Sequence, residues 1–547
     1  MEEKSMPWLT KLSYGVGHVF NDLCASMWFT YLLIYYEKVL EFDPTMAGLV
    51  LLVGQIADGM STPIVGIFSD KENKIPMCAR YGRRKVWHLI GTLFVFFSFP
   101  FIFNTCLGCQ NAEDWSQFAY YVVFVCIFQF GWACVQISHL ALIPDLTTKK
   151  HQRTELNSIR YAFTVLSNLS VFAITFLALN TQTSEDSSRM EPNCTMKASI
   201  GHTELDECST DHVGPEDATK FRNVALVCIG VGGLFSAIFH FGVKEPPFIK
   251  PRSTGEVATS DPKSPKQPQQ YRKMRKVDWF KELPFYQIAV LYMATRLYVN
   301  LYQVYIPLYV QITLDLSESF IATVPFVMYL AGFVGSLVMK QINKKIGRKG
   351  TFALGCIVGL GGCIWIWFGR GSYFSQWGIF VVAALLGTGG STLLITSLSI
   401  TADLIGNNVE GGAFVYGFMS LVDKFSNGII IMVIQNSNPG GSWYYRSVIT
   451  FACGAACLVG ILVTLTLLKV KVGRRRGESG VLEIFEEDTD QSSDEPEGID
   501  NPAIATITDG KLPDEIPNSK IGQLKTQDNM YMYQLSIEEK DDKSGLP

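Results

Sequence analysis

The sequence predicts an all-α membrane protein with twelve transmembrane helices, and three observations predict it. Of its 547 residues, 48% are hydrophobic and only 18% are charged, whereas soluble domains carry roughly 25% charged residues. The apolar residues cluster into runs of about 20, the length that crosses the ~30 Å hydrocarbon core of a bilayer. Lysine and arginine are concentrated in alternate loops. A soluble chain would not tolerate so many helices that lack a polar face.

The apolar runs follow one another with short loops, except in two places. We place them at 12–38, 46–69, 86–106, 119–143, 159–179, 222–243, 285–312, 320–341, 351–370, 376–404, 413–435 and 445–468. Residues 244–282 form a polar linker, and 471–547 form an acidic tail. Both contain too few apolar residues to build a core, so we predict that they are disordered. The predicted domains are therefore two six-helix bundles, 1–243 and 283–470, with a linker and a tail.

Basic residues in the short loops predict the orientation. They lie after the second, fourth and eighth runs, in the linker and at the start of the tail. With twelve spans, all these segments lie on one side, which the positive-inside rule makes the cytosol. Both termini are then cytosolic. Because the basic residues follow topology, they do not indicate nucleic-acid binding.

The opposite side carries a long acidic loop, about 180–221. It contains Asn193-Cys194-Thr195, an N-glycosylation acceptor on the side where glycosylation occurs. Cys194 and Cys208 share this loop and could form a disulfide. Cys106 and Cys109 form a C-x-x-C pair at the end of the third run, and without a thioredoxin-like context we interpret it as structural.

The two halves of the chain repeat each other. RYGRRK at 80–85 recurs as KIGRKG at 345–350, in each case between the second and third spans of its half. LIPDL at 142–146 recurs as ITADL at 400–404, in each case closing the fourth span. Transporters are commonly built from such repeats, with the substrate at the interface between them.

The loop between the second and third runs predicts a cytosolic latch. It carries glycine, aspartate and basic residues at Gly66, Asp70, Arg80, Gly82, Arg83 and Arg84. We expect Gly66 to let two helices approach closely. We expect Asp70 to pair with an arginine of the neighbouring loop and so hold one conformation. The alternative is an ordinary basic loop.

These residues resemble the cytosolic motif of the major facilitator superfamily, GxxxD…RxGRR. Residues ~10–470 are similar to its glycoside–pentoside–hexuronide cation symporter branch, which includes the bacterial melibiose carrier. Longer strings, among them NDLCASMWFTYLL and FQFGWACVQISHLALIPDL, resemble a vertebrate family of lysosomal and melanosomal membrane proteins that affect pigmentation and import cysteine. The resemblance implies the major facilitator fold, alternating access, and cysteine movement into the lumen of the lysosome or melanosome.

Polar residues inside the first two runs are candidates for the transport site. His18, Asn21 and Asp22 share one helical face, and an ionisable group in lipid normally faces the bundle interior. A packing hydrogen bond is the alternative role. Asp58 lies in the second run with Thr62 one turn on. The resemblance implies that Asp22 and Asp58 bind the coupling cation or the substrate. The melibiose carrier pattern has a second carboxylate where this chain has Thr62, which favours proton over sodium coupling.

The second half supplies positive charges. Lys424 lies deep in the eleventh run and matches a cavity lysine of the melibiose carrier family. We expect it to face Asp22 or Asp58, where cation and lysine would compete for one carboxylate; a static ion pair is the alternative. Arg160 and Arg296 suit a substrate carboxylate, although a sugar would also suit Asp and Arg. The remaining candidate lining residues are Asn300, Gln136 and His139.

We therefore predict a secondary transporter that works by alternating access. We find no motif for ATP use, hydrolysis or metal binding, so we expect no enzyme activity and no cofactor beyond a coupling H⁺ or Na⁺. The alternatives are a symporter of another small solute, such as a sugar or lysolipid, and a non-transporting scaffold. We expect a monomer in the lysosomal or melanosomal membrane, or alternatively the plasma membrane, and trafficking adaptors that bind the tail.

Overall fold

A computed structural model of the chain is built from helices, and no strand occurs in the part that it describes. It describes residues 6–69, 76–147, 150–180, 212–246, 276–405, 409–468 and 470. The α-helices are α1 (Trp8–Gly15), α2 (Val19–Ile34), α3 (Pro44–Ser69), α4 (Pro76–Tyr81), α5 (Arg83–Ile102), α6 (Asp114–Leu146), α7 (Lys150–Asn180), α8 (Ala218–Gly242), α9 (Lys276–Trp279), α10 (Leu283–Leu308), α11 (Glu318–Phe368), α12 (Ile379–Ile405), α13 (Val409–Asn436), α14 (Tyr444–Ser447) and α15 (Gly454–Leu467). Turns of 3₁₀-helix lie at Val16–His18 and Pro215–Asp217, and π-helical turns lie at Tyr35–Val39, Tyr309–Thr313, Phe374–Gly378 and Val448–Cys453.

The described helices match the predicted spans. Ten of them are long and apolar enough to cross a membrane. Two of the ten belong to α11, which is broken at Gly347, where φ is 70°. Two further helical runs complete the set of twelve: 8–39, which turns divide into shorter helices, and 283–313, which contains several polar residues. Proline inside these helices, as at Pro144 in α6, is tolerated because neighbouring helices satisfy the freed backbone groups.

The first span of each half shows the same irregularity. A π-helical turn begins at Tyr35 in one half and at Tyr309 in the other. Six residues after each start, Glu41 and Asp315 adopt positive φ angles of 56° and 57°. The two turns therefore align the halves residue by residue and agree with the internal repeat in the sequence.

Small residues bring neighbouring helices together. Gly387 of α12 lies so close to the main-chain carbonyl of Met328 on α11 that a Cβ would overlap it. Gly91 of α5 and Gly131 of α6 meet in the same way, backbone against backbone. Such contacts drive helix association in lipid, where no hydrophobic effect operates between helices. Large apolar side chains on the outer faces, such as Leu177, Leu234 and Phe368, are exposed and suit contact with lipid.

The two ends of the bundle differ in their contacts. We call the end that holds Trp8, Gly242 and Leu467 the terminal face, and the opposite end the loop face. Near the loop face, hydrogen bonds join the two halves directly. They are Gln311 Nε2 to Val213 O at 2.7 Å, Ser319 Oγ to Asn180 Oδ1 at 2.7 Å, Lys220 Nζ to Glu318 Oε1 at 3.0 Å, Tyr445 OH to Glu37 at 2.8 Å and Gln435 Nε2 to Glu37 Oε2 at 3.1 Å. The protein is therefore closed at the loop face.

The structure tests those expectations about the loops that concern described residues. Cys106 and Cys109 are joined in a disulfide. The expected close approach at Gly66 is wrong for the described part of the chain, because a Cβ there would meet no atom within 4 Å. Gly66 lies toward the terminal face, away from the tight contacts between α3 and α13. Asp70, Asn193, Cys194 and Cys208 lie outside the described residues, as do most of the linker and the tail.

Candidate functional site

Asp22 lies in a buried polar group within the first half. Its Oδ1 lies 2.9 Å from His18 Nδ1, one turn earlier on the same run. Its Oδ2 accepts a 2.8 Å hydrogen bond from Thr164 Oγ1 on α7. Asp22 is only 7% exposed. The carboxylate is thus held between the first and fifth spans of its half.

Arg160 brings a positive charge to this group. It lies one turn before Thr164 on α7, is buried, and interacts electrostatically with His18 and His139. Asn21 points elsewhere, since its Nδ2 donates to Trp132 O at 3.1 Å. Asn21 therefore makes a packing hydrogen bond, which was the alternative role considered for the three polar residues of this face.

A second group crosses the interface between the halves. Lys424 Nζ on α13 lies 2.6 Å from Asp58 Oδ2 on α3. Thr62 bridges the pair: its Oγ1 donates to Asp58 Oδ1 at 3.2 Å and accepts from Lys424 Nζ at 3.1 Å. Asp58 is 5% exposed. Of the two partners considered for Lys424, the structure selects Asp58.

A third group lies within the second half, next to the second. Arg296 Nε on α10 donates to Asp423 Oδ2 at 3.0 Å, and Asn427 Nδ2 donates to Asp423 Oδ1 at 2.6 Å. Because adjacent residues on a helix point about 100° apart, Asp423 and Lys424 bind different partners. The Arg296 side chain remains 32% exposed, in contrast to the 4% of Asp423, so its guanidinium is the accessible member of the pair.

The remaining predicted residues are placed differently. His139 Nε2 lies 2.8 Å from Tyr14 O, and its ring stacks on Tyr14 with centroids 4.3 Å apart. His139 also lies next to the rings of His18 and His88. Gln136, one turn earlier on the same helix, is half-buried. Asn300 is buried on α10. The sequence reasoning missed Thr164, His88 and His240, because a threonine or histidine in an apolar run gives no distinctive spacing signal.

The basic motif forms ion pairs, but with a different aspartate from the one expected. Arg84 Nε lies 2.7 Å and Arg83 NH2 3.3 Å from Asp145 Oδ2, at the end of α6. Arg348 pairs with Asp403 in the second half, and Asp145 and Asp403 are equivalent in the repeated LIPDL and ITADL strings. The latch thus joins the second–third loop to the fourth span, while any pairing of Asp70 lies outside the described residues. Arg80 is exposed.

Gly82 shapes the start of this motif. Its φ of 120° suits only glycine, which has no Cβ to clash. The main-chain N–H groups of Arg84 and Lys85 donate to the Glu245 carboxylate at 3.0–3.1 Å. An acidic group at a helix start stabilises its unpaired N–H groups and its dipole. Glu245 therefore fixes the beginning of α5 and the direction of the arginines.

The comparisons with known proteins identify the family. A family model described as MFS/sugar transport protein matches residues 13–437. The chain belongs to this family. Among similar proteins is the human Major facilitator superfamily domain-containing protein 12, which is 44% identical over 84% of this chain and 94% of the human protein. The chicken Sodium-dependent lysophosphatidylcholine symporter 1 is 29% identical over 30% of each chain.

Solved structures agree on the fold. The crystal structure of the nucleoside transporter NupG superposes with a TM-score of 0.58 at 11% identity, over 84% of this chain and 100% of that one. The MFS fold predicted from the sequence is confirmed. Family and fold are those of multi-pass membrane transporters of small molecules. No group of histidine, cysteine, aspartate and glutamate in the described residues could hold a metal ion.

Proposed function

We propose that the chain is a proton-coupled secondary transporter that moves a small zwitterionic solute, cysteine, by alternating access. The ion pair between Lys424 and Asp58 carries this proposal, because it connects the two halves at a buried position. A buried charge pair costs desolvation free energy that its attraction often does not recover. An ion pair whose members change partners during transport would explain why the protein keeps such a costly contact.

The charges near the interface suit a zwitterion. The two predicted anions, Asp22 and Asp58, and a third anion that the structure adds, Asp423, accompany three predicted cations, which are Arg160, Arg296 and Lys424. A substrate ammonium can replace Lys424 on Asp58, and its carboxylate can bind the freed lysine or the partly exposed Arg296. Arginine binds carboxylates in two-point geometry. A zwitterion leaves the net charge unchanged, so the proton carries the net charge.

Proton coupling fits the ligands better than sodium coupling. A hard cation such as Na⁺ needs several oxygen ligands, and Asp58 is already shared by Lys424 and Thr62. Protonation of Asp58 would release Lys424 without any further ligand. The choice of cysteine rests on the family resemblance of the sequence, and the same resemblance supports the lysosomal or melanosomal membrane and transport into the lumen. The basic residues of the short loops support cytosolic termini. We also propose glycosylation at Asn193 and adaptor binding by the tail.

Uptake of labelled cysteine tests this proposal. Isolated organelles or proteoliposomes that contain the full chain should accumulate labelled cysteine, and a pH gradient should increase the rate. Labelled cystine serves as the oxidised control. We expect Lys424→Ala and Asp58→Asn to abolish accumulation, while Lys281→Ala, an exposed lysine outside the spans, should not. Absence of cysteine uptake by the wild-type protein would reject the substrate.

A lysolipid is the second candidate substrate. It is favoured by one finding, the similarity of part of the chain to a sodium-dependent lysophosphatidylcholine symporter. Uptake of labelled lysophosphatidylcholine in the presence and absence of sodium decides between the two. Sodium-dependent lysolipid uptake without cysteine uptake would favour this candidate.

A further inference from the structure

Four histidines of the first half lie close together between Asp22 and the terminal face. They come from four different elements: His18 from the first 3₁₀ turn, His88 from α5, His139 from α6 and His240 from α8. His18, His88 and His139 are almost fully buried, whereas His240 is half-buried. The chain has only 7 histidines, so the presence of four in one group needs an explanation.

The outer part of the group is a continuous hydrogen-bonded chain. Tyr81 OH lies 2.7 Å from His240 Nδ1, and His240 Nε2 lies 3.0 Å from His88 Nδ1. His88 Nε2 in turn lies 2.9 Å from Gly17 O. Since a carbonyl only accepts, His88 Nε2 carries hydrogen and His88 Nδ1 accepts from His240. His240 Nδ1 then accepts from the Tyr81 hydroxyl, which is protonated at rest because burial raises its pKa.

The inner part of the group ends at Asp22. His18 Nδ1 lies 2.9 Å from Asp22 Oδ1. His139 stands between the inner and outer parts, with ring centroids 5.7 Å from His18 and 5.9 Å from His88. Three ring nitrogens, His18 Nδ1, His18 Nε2 and His139 Nδ1, are buried and make no well-aligned hydrogen bond in the described part of the chain, although His18 Nδ1 lies close to Asp22. An unpaired buried nitrogen is costly, and each of these nitrogens can take up or release a proton.

We propose that Tyr81, His240, His88, His139 and His18 form a relay that carries protons between the terminal face and Asp22. This inference rests on the proposed function, because it takes the proton as the coupling ion. Chains of acidic residues and histidines serve as proton paths in membrane transporters. Asp22 is almost closed to solvent here, so the relay provides its route to water.

The transfer balances at each residue. Tyr81 gives its hydroxyl proton to His240 Nδ1 and takes one from water, and His240 Nε2–H passes its proton to His88 Nδ1. His88 releases its Nε2 proton to His139 Nδ1 when the two rings rotate toward each other, and a further rotation of the His139 ring brings this proton to His18 Nε2. His18 takes a proton at Nε2 and gives its Nδ1 proton to the Asp22 carboxylate. One proton enters at the face, and one is gained by Asp22.

Charged groups flank the relay at both ends. At the terminal face, Lys85 Nζ lies 4.6 Å above the centre of the Tyr81 ring, and Glu245 accepts from the Lys85 main chain. At the inner end, Arg160 from α7 interacts with His18 and His139. Tyr14 stacks on His139 from α1. The single carboxylate in contact with a relay histidine is Asp22 among the described residues, and it attracts the proton inward.

Glutamine substitutions separate proton transfer from packing. Glutamine keeps a donor and an acceptor, but it cannot carry a proton. His240→Gln lies near the face and His88→Gln in the centre. His212→Gln is the matched control, because His212 is half-exposed near the loop face and pairs with Asp315. If His88→Gln does not fold, as judged by size-exclusion chromatography, the half-buried His240→Gln decides.

The first measurement is proton uptake by the purified full chain after a rapid pH drop, followed with a pH-sensitive dye. Wild-type protein should show a kinetic phase that Asp22→Asn lacks. We expect both relay variants to slow this phase by about ten-fold or more, since a positioned proton carrier contributes on that scale or above, and His212→Gln to leave it unchanged. An unchanged rate in His240→Gln or His88→Gln would overturn the relay.

The second measurement separates this inference from the proposed function. Labelled-cysteine counterflow at equal pH needs no net proton transfer, so the relay variants should keep it while uptake driven by a pH gradient falls. If wild-type protein showed no cysteine counterflow, cysteine would be rejected as the substrate, but the result of the proton-uptake measurement would still stand. Full gradient-driven uptake in His88→Gln would refute the relay and leave the transporter intact.

Discussion

Lys424 Nζ and Asp58 Oδ2 lie 2.6 Å apart, although one belongs to the second half of the chain and the other to the first. The contact sits between α13 and α3, where Gly59 also faces the side chains of Leu421 and Phe425. In the proposed alternating-access cycle, rocking of the two halves would change the distance between these helices. A change in the charge of either side chain would therefore alter the attraction between the two halves.

Removal of one partner from this pair should destabilise the protein. In Lys424→Met, Asp58 is left buried without its cation, and breaking a buried pair typically costs about 3–5 kcal/mol. We expect a lower thermal unfolding temperature in detergent and no cysteine accumulation. The double variant Asp58→Asn, Lys424→Met should recover much of the unfolding temperature but not transport. Recovery of transport in the double variant would show that the pair is structural.

The latch aspartates should control the balance between conformations. Asp145→Asn weakens the bonds from Arg83 and Arg84, and Asp403→Asn weakens that from Arg348. Since the two sites are equivalent in the repeat, we expect both variants to lower the maximal uptake rate while KM changes little. Arg80→Ala, an exposed position of the same loop, is the control. A loss in Arg80→Ala as large as in Asp145→Asn would contradict the specific role of the aspartates.

The loop-face closure should loosen when Tyr445 loses its hydroxyl. Tyr445 OH donates to the buried Glu37 carboxylate at 2.8 Å, and Tyr445→Phe leaves that carboxylate with Gln435 and with Lys38 of its own helical turn. Hydrogen exchange of peptides that contain residues 30–39 should increase, because the halves separate more often at this end. Tyr373→Phe, at an exposed site, should leave exchange unchanged. Equal exchange in wild type and Tyr445→Phe would contradict this account.

Two glycine variants test the packing of α11 and α12. A Cβ at Gly387 would overlap the Met328 carbonyl, whereas a Cβ at Gly361 would meet no described atom within 4 Å. Overpacking of this kind typically costs about 1–3 kcal/mol. Gly387→Ala should therefore lower the unfolding temperature, and Gly361→Ala should preserve it or raise it slightly. Equal stability of the two variants would show that the helices separate easily here.

The sequence predicted the spans well because hydropathy in lipid depends on each segment alone. That Asp423 and Lys424 face different ways follows from helix geometry alone. The sequence left open which carboxylate Lys424 meets, since that depends on how the halves are apposed. The structure shows that α3, rather than α2, lies against α13 at this level.

Other contacts could not be predicted, because their partners are distant in the chain and chemically ordinary. Thr164 binds Asp22 from α7, but a threonine in an apolar run usually bonds its own helix backbone. The arginines of the latch had several aspartates within reach, and the expected partner was Asp70 rather than Asp145. The histidine group was missed because its members come from four elements that meet only in the folded bundle.

The two π-helical turns, which begin at Tyr35 and Tyr309, change the helical register within a span. Each span can therefore direct its buried charged residue and its loop-face residue toward partners that a regular helix would not align. Asp22 and Arg296 both lie thirteen residues before their turn, and Glu37 and Gln311 both lie two residues after its start. Deletion of a single residue from either turn would swing everything beyond it by about 100°. Chimeric or shortened carriers made from this scaffold should therefore be joined outside 35–39 and 309–313. Otherwise the residues of one half at the loop face will no longer meet their partners in the other half.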